Sequence, residues 1–249
     1  MKKLLLLMMS MAVALGALAC IKDTDRLVGA GANLAAAVAI SDAELKSDAR
    51  QMRTMGDAQN KVAPNNNKYA QRPARITKGL NNEDGLDLNF KVYITSDINA
   101  NATPDGSIRV YSGLMDLMND DELFFIIGHE IGHVKNEDSL NAMRVAYATA
   151  GVRTGAGAAN NTLADLSDSV LGDLMEAVVN AQFSQSQESD SDLYGYQLLL
   201  KYKRNPQAGV TALQKLDSLG ASGGFLSSHP NSAERANAIA KLIAEGSNK

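Results

Sequence analysis

The chain opens on an apolar run, Leu4 to Ala14, behind Lys2 and Lys3, and passes through Gly16, Ala17 and Ala19 to Cys20. A basic start, an apolar middle and a small-residue end are the parts of a secretory signal peptide, which sets residues 1–19 apart from the fold. The run is shorter than the ~20 apolar residues a membrane-spanning helix needs. Ser41-Asp42-Ala43-Glu44 then reads as a helix-starting capping box, and Ile40, Leu45, Ala49, Met52 and Met55 recur at near-helical spacing until Pro64. Asn65-Asn66-Asn67 starts a second helix toward Leu80, with Pro73 inside it, and Asn81 to Gly85 is a turn. Leu86, Leu88, Phe90, Val92 and Ile94 alternate with polar residues, and Ile108 to Tyr111 is a second β-rich run. These are two strands joined by a polar connection that contains Pro104-Asp105-Gly106. Beyond Gly113 the pattern is helical, punctuated at residues 155–161, at Pro206 and at Gly220 to Gly224. The predicted fold class is α+β, mostly helical with a small β-sheet, in one domain over residues 20–249.

Composition narrows the function. With 45% hydrophobic and 21% charged residues, the 249-residue chain has an ordinary globular make-up. Lys and Arg number 24 against 28 Asp and Glu, without long single-sign blocks, so no nucleic-acid partner is expected. One cysteine excludes an internal disulfide and a multi-cysteine zinc site. That cysteine, Cys20, follows Ala17-Leu18-Ala19 and resembles the lipobox of bacterial lipoproteins, in which the cysteine is lipidated and becomes the new N-terminus. Leu18 sits one position later than usual, and a cleaved signal with an incidental cysteine is the other reading. Ile21, rather than Asp, after the cysteine is similar to outer-membrane sorting signals, which implies a lipoprotein facing the periplasm. The alternative is a soluble periplasmic or secreted protein.

The chemistry begins at Asn119-Asp120-Asp121-Glu122, an N-cap with an acidic first turn, followed by an apolar run from Leu123 to Ile127. His129-Glu130-Ile131-Gly132-His133 comes next. Spacing of four on a helix puts both imidazoles on one face, where they can converge on one metal ion with the intervening carboxylate beside them. A catalytic zinc needs a third ligand and an open position. The Gly and third His positions of the metzincin pattern are Asn136 and Ser139, and the only other histidine is His229, so a carboxylate is expected. Glu188 and Asp192 lie four apart in a Ser-, Gln- and acid-rich stretch that, read alone, suits a solvated helix face equally well.

At these residues the chain resembles the Ste24- and HtpX-like zinc metalloproteases, and within them a periplasmic lipoprotein branch. Lys91-Val92-Tyr93, Ile108 to Asp116, Gln182-Phe183-Ser184-Gln185, and His229-Pro230 followed by Ala233-Glu234-Arg235 carry the same resemblance. It implies a zincin-like domain with one Zn2+ per chain, Glu188 as third ligand beside His129 and His133, and Asp192 hydrogen-bonded to a ligating histidine. Three departures stand out. Many relatives have a histidine near Asp138, residues near Asn101 and Asp105 differ, and Ser191 replaces a common alanine, which should leave its helix intact.

The arrangement predicts an endopeptidase in which Glu130 is the general base. His229, Arg235 and Tyr194 are candidates for a donor to the oxyanion, His229 foremost. In some relatives a histidine before proline instead fills the open zinc site in a latent state, and a purely structural His229-Pro230 is the third reading. The small side chains of Asn99, Ala100 and Asn101, through Thr103, suggest an accessible edge to which an extended substrate adds as a strand. Expected partners are unfolded or flexible polypeptides, envelope proteins and, through a lipid anchor, the membrane. Two other classes stand beside this one: a chaperone-like assembly lipoprotein with gated proteolysis, and a structural lipoprotein whose histidine pair is accidental.

Overall fold

A computed structural model describes residues 40–154, 168–220 and 224–246. The signal peptide and Cys20 lie outside the described residues, as does the punctuation at 155–161. Ten helices and three strands occupy the described chain: α1 (Asp42–Gln59), α2 (Lys68–Ile76), β1 (Asn89–Tyr93), β2 (Ala100–Ala102), β3 (Ser107–Tyr111), α3 (Ser112–Leu117), α4 (Asp120–Lys135), α5 (Asp138–Thr154), α6 (Asp168–Val179), α7 (Gln185–Lys201), α8 (Gln207–Asp217), α9 (Phe225–Ser228) and α10 (Ser232–Gly246). None of the helices is long and apolar enough to cross a membrane.

The α+β expectation holds, with one correction in the sheet. The connection between the two expected strands contains a third strand, β2, giving the order β1-β3-β2. β1 runs parallel to β3 with Val92 opposite Val110, and β2 runs antiparallel to β3 with Asn101 opposite Arg109. Pattern alone hides a three-residue strand, because Ala-Asn-Ala has no strong β preference and its place is set by pairing with β3. The capping box at Ser41 forms: Glu44 N–H donates to Ser41 Oγ, and Ser41 N–H donates to Glu44 Oε2 at 2.9 Å.

Two apolar clusters fill the interior. The larger gathers around α4, whose residues Glu122 to Val134 are all buried. The smaller joins Leu45, Ala49 and Met52 of α1 to Leu140, Met143 and Ala146 of α5 and to Leu174 and Val178 of α6. A polar network fastens α1 to the sheet. Asp57 accepts hydrogen bonds from Arg109 at 2.8 and 3.0 Å, from Lys91 at 2.8 Å and from Tyr93 at 2.8 Å. These cations hold its carboxyl well below the usual range against the opposing pull of burial.

The closest packing is between α4 and α7. A Cβ on Gly132 would lie 2.8 Å from Ser191 Cα, and one on Gly128 would lie 3.0 Å from Gly195 Cα. The backbones approach because these positions carry no side chain, and a methyl group there must push the helices apart. Gly132→Ala should therefore lower stability by about 1–3 kcal/mol. Urea unfolding checks this, and an unchanged midpoint would contradict the tight crossing.

Candidate active site

Helix α4 starts from a capping box. Asn119 Oδ1 accepts from the backbone N–H groups of Asp121 and Glu122, and Glu122 Oε2 accepts from Asn119 N–H at 2.8 Å and from Lys215 Nζ at 2.7 Å. The helix then runs through the core and delivers His129 and His133 into the interior, 0% and 1% exposed. Helix α7 starts at its own capping box, Ser184 with Gln187, and its tight crossing with α4 lays Glu188 and Asp192 beside the two imidazoles.

His229 comes from the segment between α9 and α10. Gly224 has φ +63°, and a Cβ there would lie 2.5 Å from the Ile98 carbonyl oxygen, to which Phe225 N–H donates at 2.9 Å. Phe183 N–H donates to the Ser228 carbonyl at 3.3 Å. The segment is thereby pinned between the entry to β2 and the entry to α7.

Four side chains then face one another. His129 Nε2 is 3.1 Å from His133 Nε2 and 3.1 Å from His229 Nδ1. Glu188 Oε1 is 2.9 Å from His229 Nδ1 and 3.3 Å from His133 Nε2. One donor atom from each of His129, His133, Glu188 and His229 lies within 4.8 Å of the others, and all four residues are buried. The outward nitrogens are occupied: His129 Nδ1 donates to Asp192 Oδ1 at 2.9 Å and His133 Nδ1 donates to Asp138 Oδ2 at 2.9 Å. With the proton on Nδ1, both imidazoles turn an Nε2 lone pair inward, as ligation requires. Glu130 Oε1 is buried without a hydrogen-bond partner, 3.5 Å from His229 Nε2. Three nitrogens, one carboxylate oxygen and a neighbouring unpaired carboxylate suit a divalent metal.

The electrostatics favour the ligating form at His129 and Glu188, whereas at His133 the surrounding acids favour the protonated ring, a proton that a bound cation would displace. Burial pushes His129 well below its ordinary pKa, so it favours the neutral, ligating form. Burial would also lower His133, but hydrogen bonds to Asp138 and Glu188 and the Glu130 and Glu188 charges outweigh it and raise His133 to about 9. Burial raises Glu188, yet the surrounding histidines hold it well below the usual carboxylate range. Glu130 is raised, by burial foremost.

Among the residues expected from sequence, the structure brings together His129, Glu130, His133, Glu188, Asp192, His229 and Arg235. Arg235 grips Asp192 through Nε and Nη2, both at 2.7 Å, and its Nη1 lies 2.5 Å from Glu188 Oε2. Nη1 also donates to the His229 carbonyl at 3.4 Å, so its donors are spent on the protein. His229 turns Nδ1 into the ligand group, which is the placement of a fourth ligand. Tyr194 lies apart, its hydroxyl on Asp84 at 3.1 Å and its ring beneath Lys135.

β2 is an edge strand among the described residues and Asn99 before it is partly exposed, but the side chains that follow are covered. Ala100, Asn101, Ala102 and Thr103 are only 1%, 5%, 8% and 0% exposed. One face of β2 meets Arg53 of α1, which donates to Asn101 Oδ1 at 2.7 Å, and α4 packs against the strand as well.

Sequence reasoning missed the partners of His133. Asp138 was noted only as a departure, yet it bonds His133 and is itself bonded by Gln187 Nε2 at 2.7 Å. Ser191 leaves its helix intact, as expected, but its Oγ also lies 3.1 Å from His133 Nδ1. Phe183 stacks on His133 with centroids 3.9 Å apart, and Phe225 stacks on His229 at 4.2 Å. An acid at a helix start five residues past His133 was the available signal for Asp138.

Two histidines one turn apart, an intervening carboxylate and a glutamate from a second helix define a metal-dependent peptidase of the HExxH kind. The chain belongs to Peptidase family M48, which it matches over residues 70–243. It is 41% identical over 227 residues to the metalloprotease YcaL of Escherichia coli, covering 90% of this chain and 89% of that one. It is 40% identical over 249 residues to the metalloprotease LoiP of the same organism, covering 98% and 99%. A protease HtpX homolog of Streptococcus gordonii is 32% identical over 157 residues, covering 51% and 52%. The protein is accordingly a metalloprotease.

Asp138→Asn should weaken metal affinity by about 10–100-fold, because a neutral amide with one acceptor oxygen replaces a carboxylate that accepts from both His133 and Gln187. Competition with a chromogenic chelator measures this, and parental affinity in the variant would show that Asp138 does not position His133.

Proposed function

We propose that this protein is a zinc-dependent endopeptidase of the bacterial cell envelope that cleaves unfolded or misfolded envelope proteins. The observation that carries the reading is the convergence of His129, His133, Glu188 and His229 within 4.8 Å, beside the unpaired carboxylate of Glu130. In it, His129, His133 and Glu188 hold one zinc ion, and Asp192 and Asp138 fix the two imidazoles. Zinc bound there supplies Lewis acidity that activates water and the scissile carbonyl. Glu130 accepts the proton of the attacking water and passes it to the leaving amine. Its raised pKa suits both halves of that transfer, since it brings the carboxyl closer to the working pH.

His229, whose Nδ1 lies with the other three donor atoms, would serve as a fourth ligand to a bound ion in a resting state and would have to withdraw for substrate. Its loop is attached at Gly224 and Asn231, both at positive φ, so a small rearrangement at either end can release it. The envelope location rests on the signal-like run before Cys20 and on lipidation at that residue.

Glu130→Gln should retain stoichiometric zinc and lose cleavage of an unfolded casein-like substrate by about 10^2–10^4-fold. Cleavage at the parental rate would remove Glu130 as base. Cys20→Ser should shift the protein from the membrane to the soluble fraction of the envelope, and unchanged fractionation would remove the lipid anchor.

A further inference from the structure

A cavity of about 920 Å³ opens between α1, the sheet, α6 and α9, which begins at Phe225. Phe225 lines it and also stacks on His229, so the cavity adjoins the metal-ligand group through one aromatic ring. Asn99 and Asn101 line it from β2 and the segment leading into it. Its most unusual wall residue is Arg53, 2% exposed.

Arg53 donates from Nη2 to Asn101 Oδ1 at 2.7 Å, and from Nε and Nη2 to Thr103 Oγ1 at 3.3 Å. The Thr103 hydroxyl in turn donates a hydrogen bond to Asp105 Oδ1 at 2.7 Å, so that carboxylate is one hydroxyl removed from the guanidinium. No carboxylate oxygen among the described residues comes within 4.0 Å of the guanidinium. Asp57, one turn along α1, is taken by Arg109, Lys91 and Tyr93. The charges of Arg53, Arg109, Asp57 and Asp105 balance in number, but Asp57 is bonded to Arg109, so Arg53 is left with hydroxyl and amide acceptors only. Buried charges are ordinarily paired, and an unmatched guanidinium at a cavity wall is a receptor for an anion from outside the fold. Asn101 Nδ2 is a second donor there, buried without a partner. Tyr93 and Tyr111 line the same cavity.

We propose that this cavity is a substrate subsite in which Arg53 and Asn101 Nδ2 receive a carboxylate of the polypeptide. The inference rests on the endopeptidase reading and adds a sequence preference to it. The carboxylate can belong to an Asp or Glu side chain or to the end of the chain. Three exposed acids, Asp97, Asp173 and Glu176, stand at the cavity margin. The accepted segment therefore carries its single acid inward and neutral or basic residues around it. Apolar walls from Met52, Met175 and Phe225 take the flanking aliphatic parts.

The test uses the zinc-loaded protein and matched fluorogenic peptides with neutral flanks. One series moves a Glu or its isostere Gln through successive positions, and the other has a free or an amidated C-terminus. A preference of about tenfold or more in kcat/KM for the carboxylate form is expected in one series, which identifies its source. Arg53→Gln should bring that ratio close to one. Asn101→Asp should do the same while keeping the guanidinium in place, because it supplies an internal anion to Arg53; it serves where loss of Arg53 costs the fold. No preference in the parent, or a preference that survives Asn101→Asp, overturns the proposal. A parent that cleaves none of the peptides removes the endopeptidase reading instead. The same peptide pairs, followed by fluorescence anisotropy, then decide the subsite by binding alone.

Discussion

The structure depends on the close crossing of α4 and α7. Gly128 and Gly132 on one helix meet Gly195 and Ser191 on the other, with backbone atoms where side chains would ordinarily stand. Ligands fixed to two rigid helices can converge only if the axes approach closely, since a glutamate side chain spans a few ångströms beyond its backbone. The same glycines that offer no helix propensity are thus retained in two buried helices, at a cost of about 1 kcal/mol each relative to Ala. Apolar packing around α4, from Leu123 to Ile131, offsets that cost and keeps the axis in place.

Close approach also concentrates charge where water is absent. Glu130, Glu188, Asp192 and Asp138 are all buried, together with three histidines. Arg235 is the fixed counterweight: it grips Asp192 with two nitrogens, contacts Glu188 with the third and spans from α10 to the ligand helix. Removing one member of such a group leaves the others unpaired in a low-dielectric interior, which is far costlier than the net worth of the pair. The stacked rings of Phe183 and Phe225 close two sides of the histidine group, so its field acts across apolar surfaces rather than solvent.

Much of this was legible in the chain. The capping boxes at Ser41 and Asn119 are local signals, and both form. The histidine pair is legible because ligand spacing and helical period coincide in five residues. Glu188 and Asp192 were ambiguous alone, since a Ser-rich acidic stretch suits a wet surface equally well, and only the family resemblance assigned them. What stayed hidden is what depends on contacts across long sequence separation. β2 is a strand because β3 lies beside it. Asn101 is buried because α1 covers it with Arg53, 48 residues earlier. The inward turn of His229 Nδ1 is set by a loop pinned at Ile98 and Phe183. No local periodicity records any of these.

The two polar centres are separated by a very thin wall. The alternation of a strand sends Asn101 and Thr103 toward Arg53 on the α1 side, while Ala100 and Ala102 are left for the α4 side, where only small residues fit against a helix packed this closely. A strand of this kind can hold a guanidinium on one face and the ligand helix on the other. Ile98, just before it, accepts the backbone hydrogen bond that seats Phe225 against His229. β2 and the segment leading into it therefore border both the cavity wall and the residues that seat His229.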